Sequence, residues 1–585
     1  MKFAVDPRQP RLFDPFDGLF GRIGRRRIAE GWQGVFRTML LSVMPVKQLG
    51  EHFHPIMGRP TKELYSVAGL LFLQENFNWT NDQALDGYLF RTDLQFALNI
   101  EPGTEMCART LERYRALFLD DDLAAQIMND VTLKLVHELD VKIDKQRLDS
   151  THVFSDMASF GRTRMMAVTI KRFLTQVQRH QPSDFAVLPE ALRQRYAPSQ
   201  AKLFAAKGQS AEQRNQSRQQ VAEDLRELIH RFADHAGLNK RPSYQALATV
   251  FEQQCEIVAD KIVIKVKTGG NCVQNPSDID ATYDGHKGQG YKVQLVETCS
   301  DENDVQLILT ALPQTAVEHD AAALAPVLAD LQAKDLLPDA MLADTAYGSD
   351  ENVRTAAALG VELVTPTPGN PPAEASASAE APASAEASAS AEASASAPMD
   401  KLSIDDFALD GADKVDRCPS GRIPLNVLYH QGVNQDKTTI EMNPDDCATC
   451  PFRAACPMQK TKKGQYQLEY TAKARRLEER RREEDTDAFR ERYAKRSGLE
   501  STNGGLKRKH GLGRLRVRGQ AGVYHALYLK VAGWNLCQAA SCGKLVSKVM
   551  EMLRKLGLVG GWSACLVLFW VISQVYRPWR AVLAR

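Results

Sequence analysis

Residues 290–313, GYKVQLVETCSDENDVQLILTALP, contain two mostly apolar runs separated by a short polar segment. Each run has the length and the Val, Ile and Leu content that are typical of a strand. A third such run, KIVIKVK at 261–267, lies shortly before them. Three strands this close together in the chain predict the first part of a sheet.

Helix and strand signals alternate after these runs. A helix is predicted over 319–334, followed by a short strand that delivers Asp344 within DAMLADTAYGS (339–349). Another helix and the strand VELVTP at 361–366 come next. The order β-β-β-α-β-α-β predicts an α/β fold in which helices pack on a mixed sheet.

Composition divides the chain into further segments. The predicted segments are a helical N-terminal domain at 1–137, the first part of an α/β domain at 138–370 with a helical insertion at 164–254, an Ala/Ser/Glu-rich linker at 371–398, a Cys-rich insertion at 399–460, the last part of the α/β domain with the helix of Glu500 at 461–545, and an apolar C-terminal tail at 546–585. The linker has almost no apolar bulk, so we expect it to be disordered.

Overall charge does not identify a partner, because 74 basic and 72 acidic residues give a net charge of only +2. The N-terminus lacks a secretory signal, and 11 cysteines in a chain of this length do not resemble a disulfide framework, so we predict a cytoplasmic protein. Residues 556–576 run 21 positions without a charge, which is long enough to cross a bilayer. Their three glycines and one Gln favour a buried or docking helix, so no membrane partner is expected.

The segment YAKRSGLESTNGGLKRKHGLGRLRVR, residues 493–518, contains eight Lys or Arg side chains and one carboxylate, Glu500. A surface that binds phosphate normally excludes a carboxylate. One interpretation is a plain ion pair within a basic segment. The other is a divalent cation that lies between Glu500 and phosphate. Such a cation attracts both anionic groups and so removes the repulsion between them.

Two further carboxylates support the metal interpretation. Asp149, in VKIDKQRLDST at 141–151, and Asp344 each end a predicted strand, where α/β sheets commonly place their sites. A few carboxylates that bridge two hard cations are the usual solution for in-line phosphodiester displacement. We therefore predict that Asp149, Asp344 and Glu500 are catalytic and hold two Mg²⁺ ions.

The spacing around Glu500 is that of one helix face. Tyr493, Arg496, Glu500 and Lys507 are offset by 3, 4 and 7 residues, which places them within roughly 60° on an α-helix. The glycines of NGG at 503–505 disfavour a helix interior. Lys507 is therefore expected at a frayed end or in a following turn.

The spacing Y-x2-R-x3-E-x6-K resembles the signature of DDE transposases from bacterial insertion sequences. LDSTHVFSDM around Asp149 and DTAYGSDEN around Asp344 resemble the first and second acidic motifs of that family. GRPTKELYSVAGLLFLQE resembles part of its helical N-terminal domain, and QNPSDIDATYDGHKGQGYKVQLVE resembles part of its core. The resemblance covers about residues 10–545, apart from the Ala/Ser linker.

The resemblance implies an RNase H-like catalytic domain that acts on double-stranded DNA. Such an enzyme cuts at the ends of a mobile element, and the freed 3′ hydroxyls attack target DNA, normally on a homodimer that pairs the two ends. It also implies that Arg496 and Lys507 contact DNA near the scissile phosphate, and that Tyr493 supports their helix or touches DNA. Arg508, Lys509 and Arg514 are predicted to bind backbone phosphates. A helix-turn-helix within 60–115 is one way for the N-terminal domain to bind the element's ends.

Cysteines form a second pattern. A CxxC motif contains Cys447 and Cys450, and Cys456 follows after five further residues. Cys418 lies 29 residues before Cys447. Four thiolates in a reducing compartment favour a structural Zn²⁺ site. His430 lies between the two halves and is an alternative ligand, and buried free thiols are the alternative to a metal.

Two other functions remain open from the sequence. One is an RNase H-like nuclease that hydrolyses DNA without joining it. The other is a DNA-binding regulator with a decayed active site. The presence of all three acids, Asp149, Asp344 and Glu500, favours an active enzyme over the regulator.

Overall fold

The computed structural model describes residues 1–9, 14–16, 18–205, 208, 210–369, 402–410, 414–431 and 436–555. The chain divides into two compact units. The first unit contains Met1–His319, Pro326–Pro338 and Ser497–Arg585, and the second contains Asp320–Ala325 and Asp339–Arg496. The predicted linker at 371–398 and the apolar segment at 556–576 lie outside the described residues.

Helices occupy most of the chain before residue 140, within the first unit. They are α1 (Arg22–Glu30), α2 (Trp32–Val35), α3 (Val46–Glu51), α4 (Leu64–Asn76), α5 (Asn81–Phe90), α6 (Thr92–Ala97), α7 (Ala108–Asp120) and α8 (Leu123–Leu139). A π-helical turn, Phe36–Leu40, directly continues α2. The side chains of α4 are buried on nearly every face. The helical character expected for 1–137 is present, and a domain border at 137 stays a prediction.

The segment 164–254, predicted as a helical insertion, follows the strand β1 (Lys145–Val153). The elements after β1 form a group with its own core, and they are α9 (Arg162–His180), α10 (Pro182–Val187), α11 (Glu190–Tyr196), α12 (Ala211–Phe232), α13 (Pro242–Gln254), β2 (Cys255–Val258) and β3 (Lys261–Ile264). Phe173, Leu225 and Leu247 lie in its buried core. The run KIVIKVK does not begin the main sheet as predicted, because β3 pairs with β2 in a two-stranded sheet and its Ile262 and Ile264 pack on this core.

Strand β5 (Gly288–Thr298) has paired neighbours on both sides over residues 291–297 in the first unit. It pairs antiparallel with β4 (Thr282–Asp284), with β6 (Ile308–Thr315) and with β1. The pairing with β1 continues past Asp149, which lies opposite Leu295, as far as Val153 opposite Tyr291. Asp149 is thus in the middle of a strand, and its predicted position at a strand end is wrong because the ladder extends four residues further.

The helix α14 (Leu324–Ala333) follows β6, and the second unit contains the next strands. Strands β7 (Ala340–Ala343) and β8 (Glu362–Val364) pair in parallel, and the connection between them includes α15 (Asp350–Ala358). The prediction of a strand, a helix and a strand around Asp344 is confirmed. The strand β7 ends directly before Asp344, as predicted.

The rest of the second unit is built from short strands and three helices among the described residues. These elements are β9 (Ala408–Leu409), β10 (Val415–Arg417), β11 (Asn426–His430), β12 (Lys437–Met442), α16 (Pro444–Ala448), β13 (Gln459–Lys460), β14 (Tyr466–Tyr470), α17 (Ala472–Glu484) and α18 (Asp487–Ala494). Strands β11, β12, β14 and β13 form an antiparallel sheet in that order. Ile440, Met442 and Tyr466 lie in the buried core beside it.

The last three helices of the described residues belong to the first unit and are α19 (Gly498–Lys509), α20 (Gln520–Ala540) and α21 (Gly543–Lys555). The helix α20 is buried along most of its length and shares one hydrophobic core with α4, α8 and β5. No helix in the described ranges is both long and apolar enough to span a membrane. With antiparallel strands in the first unit and a parallel pair in the second, the described chain is a mixed α/β protein, as the sequence predicted.

Candidate active site

Two of the three predicted catalytic acids line one cavity of the first unit. Asp149 comes from β1 and Glu500 from the first turn of α19. The cavity has a volume of about 630 Å³, and Lys507, Asn503, Lys287 and His152 also line it. Acids 351 positions apart in the sequence, at 149 and 500, are therefore brought to one place by β1 and α19.

The rotation of α19 about its axis decides which side chains reach this cavity. Glu500, Asn503 and Lys507 face it, whereas Leu499 and Leu506 are buried on the other side. Positions three, four and seven apart share one face of an α-helix. The sequence spacing therefore predicted the common face of Glu500 and Lys507 correctly.

The helix runs through Gly504 and Gly505 without a break and ends at Lys509. A Cβ atom at Gly505 would lie 2.4 Å from the ring of Trp534, so the glycine allows α19 and α20 to approach closely. Lys507 lies in the last turn. The expectation of a fraying helix was wrong because close packing on Trp534 compensates for the low helix propensity of glycine.

Hydrogen bonds fix the Asp149 carboxylate on both oxygens. Its Oδ1 accepts a hydrogen bond from the backbone N–H of Ser150 at 2.9 Å. Its Oδ2 accepts one from the side-chain amide of Asn503 at 3.2 Å. The helix that carries Glu500 thus also orients Asp149. Asn503 was missed in the sequence, although its position three residues after Glu500 places it on the same helix face.

Basic groups surround the two acids. Partial burial lowers the pKa of Lys507, the neighbouring Lys287 lowers it further, and Asp149 opposes both effects. Burial also lowers the pKa of His152, whose Nε2 lies 3.2 Å from the carbonyl oxygen of Gln289. Lys287 and His152 were not identified in the sequence, because only the β4–β5 hairpin and the register of β1 bring them to the cavity.

The third predicted acid, Asp344, belongs to the second unit. Its Oδ1 accepts a hydrogen bond from the backbone N–H of Thr345 at 2.6 Å, and its side chain is 48% exposed. Arg496 places Nη2 3.5 Å from Oδ2 of the same carboxylate. The arginine predicted to contact DNA therefore pairs with a predicted metal ligand, and the meeting of Asp344 with the other two acids stays a prediction.

One continuous α-helix was predicted for Tyr493, Arg496, Glu500 and Lys507, and this prediction is wrong. Tyr493 lies in α18, and Arg496 lies in a 3-10 turn, Lys495–Ser497, before α19 begins. The ring of Tyr493 stacks on Phe489 with centroids 5.7 Å apart. The interruption changes the helical phase, so spacing alone does not relate Tyr493 and Arg496 to Glu500.

The other predicted DNA-binding residues, Arg508, Lys509 and Arg514, have exposed side chains near the end of α19. Within the described ranges no ion pair engages these three cations or Lys507. Arg514 forms an isolated β-bridge with Phe154, one residue beyond β1. Their charges are available for a polyanion, and contact with DNA stays a prediction.

The four predicted zinc ligands, Cys418, Cys447, Cys450 and Cys456, line one small cavity of the second unit. Burial and then the other three sulfurs raise the pKa of Cys447 to about 11. His430, the alternative ligand, lies exposed on β11 and does not line this cavity. In the part of the chain that the structure describes, no group of three or more His, Cys, Asp or Glu side chains is arranged to hold a metal ion.

One comparison with known proteins finds a similarity to part of this chain. Residues 417–540 match a protein-family model described as Transposase DDE domain. The match includes Cys418, Arg496, Glu500 and Lys507, and it supports a transposase, more specifically one of the DDE group. Domains of this group act on DNA and use a divalent metal such as Mg²⁺. No curated protein and no solved structure matches the chain.

Proposed function

We propose that this protein is a DDE transposase that cleaves DNA at the ends of an insertion sequence and joins the 3′ hydroxyl ends to target DNA. The observation that carries the proposal is the cavity shared by Asp149, Glu500 and Lys507. It combines two acids with a cation, and two of these three residues, Glu500 and Lys507, lie within the segment that matches the family model. The signature Y-x2-R-x3-E-x6-K supports the insertion-sequence branch.

The side chains at this cavity suit hard cations. Asp149 and Glu500 offer carboxylate oxygens, the ligand type that Mg²⁺ prefers, and Asp344 is the third acid of the proposed set. Two Mg²⁺ ions bound by these acids would activate the attacking oxygen and stabilise the leaving oxygen of the phosphodiester. Water is the first nucleophile, and the freed 3′ hydroxyl is the second.

The chain's own residues would bind and orient the DNA. Asn503 holds Asp149 through Oδ2, which limits the directions in which that carboxylate can point. Lys507, Arg508, Lys509 and Arg514 supply positive charge next to the acids, so they would bind backbone phosphates on either side of the cut. Burial lowers the pKa of His152, which favours its neutral form.

The direct test uses a DNA fragment that carries the element's own ends, together with Mg²⁺ and a target plasmid. The wild-type protein should release the element and join it to the plasmid. Asp344→Asn should bind the ends without cutting them. Cut DNA that fails to join, even from a fragment supplied with a pre-cut 3′ end, would favour a nuclease. Wild-type binding without any cleavage would favour a regulator.

We also propose a structural Zn²⁺ bound by Cys418, Cys447, Cys450 and Cys456, within an RNase H-like enzyme that works as a homodimer on paired ends. The four sulfurs that line one cavity support the zinc proposal. Elemental analysis should find one zinc per chain in the wild type and none in Cys450→Ser. Light scattering of the protein with two element ends should give the mass of a dimer on DNA.

A further inference from the structure

A buried ion pair lies directly behind the proposed active site. Glu297 on β5 has a side chain only 2% exposed, and Arg147 on β1 pairs with it. Arg147 donates to Oε2 of Glu297 from Nε at 2.8 Å and from Nη2 at 2.6 Å. The other oxygen, Oε1, accepts a hydrogen bond from the hydroxyl of Thr502 at 2.7 Å. Both carboxylate oxygens are therefore in use.

These three residues join the two elements that carry the acids. Arg147 lies opposite Glu297 in the β1–β5 ladder and two residues before Asp149, on the same face of the strand. Thr502 lies on α19, two residues after Glu500 and so about 200° around the helix from it. The buried side of α19 is thus bonded to Glu297 on β5, which pairs with Arg147 on the strand of Asp149, while the other side of α19 faces the cavity.

The first residue of α19 also contacts this pair closely. A Cβ atom at Gly498 would lie 1.9 Å from Nη1 of Arg147, so only glycine leaves room for the guanidinium here. The helix is therefore located at its start by Arg147 and one turn later by the bond from Thr502 to Glu297. Two points of attachment fix both the position and the rotation of a helix.

Stability alone is a poor explanation for this arrangement. Burial raises the pKa of Glu297, and the bonds from Arg147 and Thr502 oppose that rise without cancelling it. The cost of desolvating a buried ion pair commonly offsets most of the attraction between its charges, and apolar residues often replace such pairs without loss of stability. Hydrogen bonds differ from apolar contacts in having a direction, so they can select one rotation of α19.

We infer that Arg147, Glu297 and Thr502 are positioning residues that set the rotation of α19, so that Glu500 and Asn503 face Asp149. The inference rests on the proposed function of the cavity and extends it to residues outside the predicted catalytic set. None of the three lines the cavity itself. Their contribution to catalysis would be indirect, through the geometry of the two acids.

A matched control exists in the helical insertion. There Arg195 pairs with the buried Asp224 at 2.6 Å, and Tyr196 donates its hydroxyl to the same carboxylate at 2.6 Å. This group again consists of an arginine, a buried carboxylate and a hydroxyl donor, within the first unit. Tyr196→Phe and Thr502→Val each remove one hydroxyl that bonds to a buried, arginine-paired carboxylate.

The experiment compares Thr502→Val, Thr502→Ser and Tyr196→Phe with the wild type, using full-length protein. The first readout is hydrogen exchange of the backbone amides in 498–509 without DNA. The second is the single-turnover cleavage rate at saturating end DNA, with the DNA concentration for half-maximal rate measured separately. Substituting a residue that orients metal ligands typically lowers activity by about 10- to 100-fold.

We expect Thr502→Val to speed exchange in 498–509 and to lower the cleavage rate by about 10- to 100-fold, with half-saturation by DNA within about twofold of the wild type. Thr502→Ser keeps the hydroxyl, so its exchange in 498–509 and its cleavage rate should equal those of the wild type. Tyr196→Phe should change neither the exchange nor the rate. Equal rates and equal exchange in Thr502→Val and Tyr196→Phe would overturn the inference.

If Thr502→Val does not fold, Arg147→Lys replaces it, because it keeps the charge and removes the paired donors. A wild-type protein that cuts nothing refutes the proposed function, and the exchange data still decide the positioning role.

Discussion

The helices α17 and α19 are both rich in basic residues but use them differently. Arg476 on α17 binds Asp350 through two hydrogen bonds of 2.8 and 2.7 Å, and Arg480 donates to the carbonyl oxygens of Gly348 and Thr365. On α19, Lys507 faces an open cavity together with Glu500. The content of Lys and Arg does not separate a structural helix from a candidate DNA-binding one, whereas the partners of those side chains do.

The largest effect should come from the acid on α19. Glu500→Gln keeps the shape of the side chain and removes its charge, so we expect cleavage to fall about a thousandfold, which corresponds to about 4 kcal/mol of transition-state stabilisation. Binding of the element's ends should persist. The measurement is single-turnover cleavage together with a gel-shift titration.

The control for this change is Glu479→Gln on α17, whose carboxylate is 66% exposed and pairs with Arg475 on the same helix. It should leave the cleavage rate within about twofold of the wild type, because an exposed ion pair contributes little. If both substitutions abolished cleavage, the distinction between the two helices would fail.

The next effect concerns the salt dependence of DNA binding. The triple variant Arg508→Ala, Lys509→Ala, Arg514→Ala should reduce the slope of log Kd against log salt concentration by about 2 to 3, because each lost phosphate contact contributes about 0.9. Fluorescence anisotropy at several salt concentrations measures the slope.

A matched triple variant on α17 provides the comparison. Arg475→Ala, Arg481→Ala, Arg482→Ala removes the same number of charges from side chains that pair with Glu479, Glu478 and Asp406. We expect its slope to equal that of the wild type. A reduction as large as that of the α19 variant would show that both helices bind DNA.

A smaller effect is expected on stability. Arg476→Met should lower the free energy of unfolding at pH 7 by about 1–3 kcal/mol, since it removes two charge-assisted hydrogen bonds. Arg476 holds the pKa of Asp350 below its ordinary value of 3.8, so this contribution is present above that value and is lost as the pH falls through the lowered pKa.

Urea titrations at pH 7 and pH 3 measure this change. The difference between the wild type and Arg476→Met should be smaller at pH 3. Arg490→Met removes an ion pair with the fully exposed Asp487 and should change stability by less than about 0.5 kcal/mol at either pH. A difference for Arg476→Met that does not depend on pH would contradict the role assigned to Asp350.

The smallest effect distinguishes the adjacent glycines of α19. Gly504→Ala should stabilise the protein by up to about 1 kcal/mol, since a Cβ there meets only the movable end of Arg508 and alanine favours a helix. Gly505→Ala should cost at least about 1 kcal/mol through overlap with Trp534. Thermal unfolding measures both, and equal effects would mean that close packing does not shape this helix.

The sequence predicted what depends on local pattern. The strands β5, β6 and β7, the position of Asp344 after β7, and the common face of Glu500 and Lys507 all follow from periodicity within a few turns. Asp149 was predicted to end a strand, whereas pairing with β5 extends the strand to Val153. Register of this kind depends on a partner far away in the chain.

Contacts between distant segments explain the other errors and omissions. The 3-10 turn at Lys495–Ser497 has no strong breaker before Gly498, and the bond from Asn503 to Asp149 links positions 354 residues apart. Continuity of α19 through two glycines depends on the ring of Trp534. Helix propensity describes a residue in isolation, and tertiary packing decides the outcome at these positions.

The ion pair between Arg496 and Asp344 would make cation binding at that acid a competition. A divalent ion that coordinates Asp344 through Oδ2 would compete with the guanidinium for that oxygen, and a phosphate that attracts Arg496 would leave the carboxylate more receptive to the ion. Linkage is reciprocal, so each ligand would strengthen the other by the same factor. Metal loading at Asp344 would then be greatest when nucleic acid is already present, and the proposed cleavage would be coupled to DNA binding.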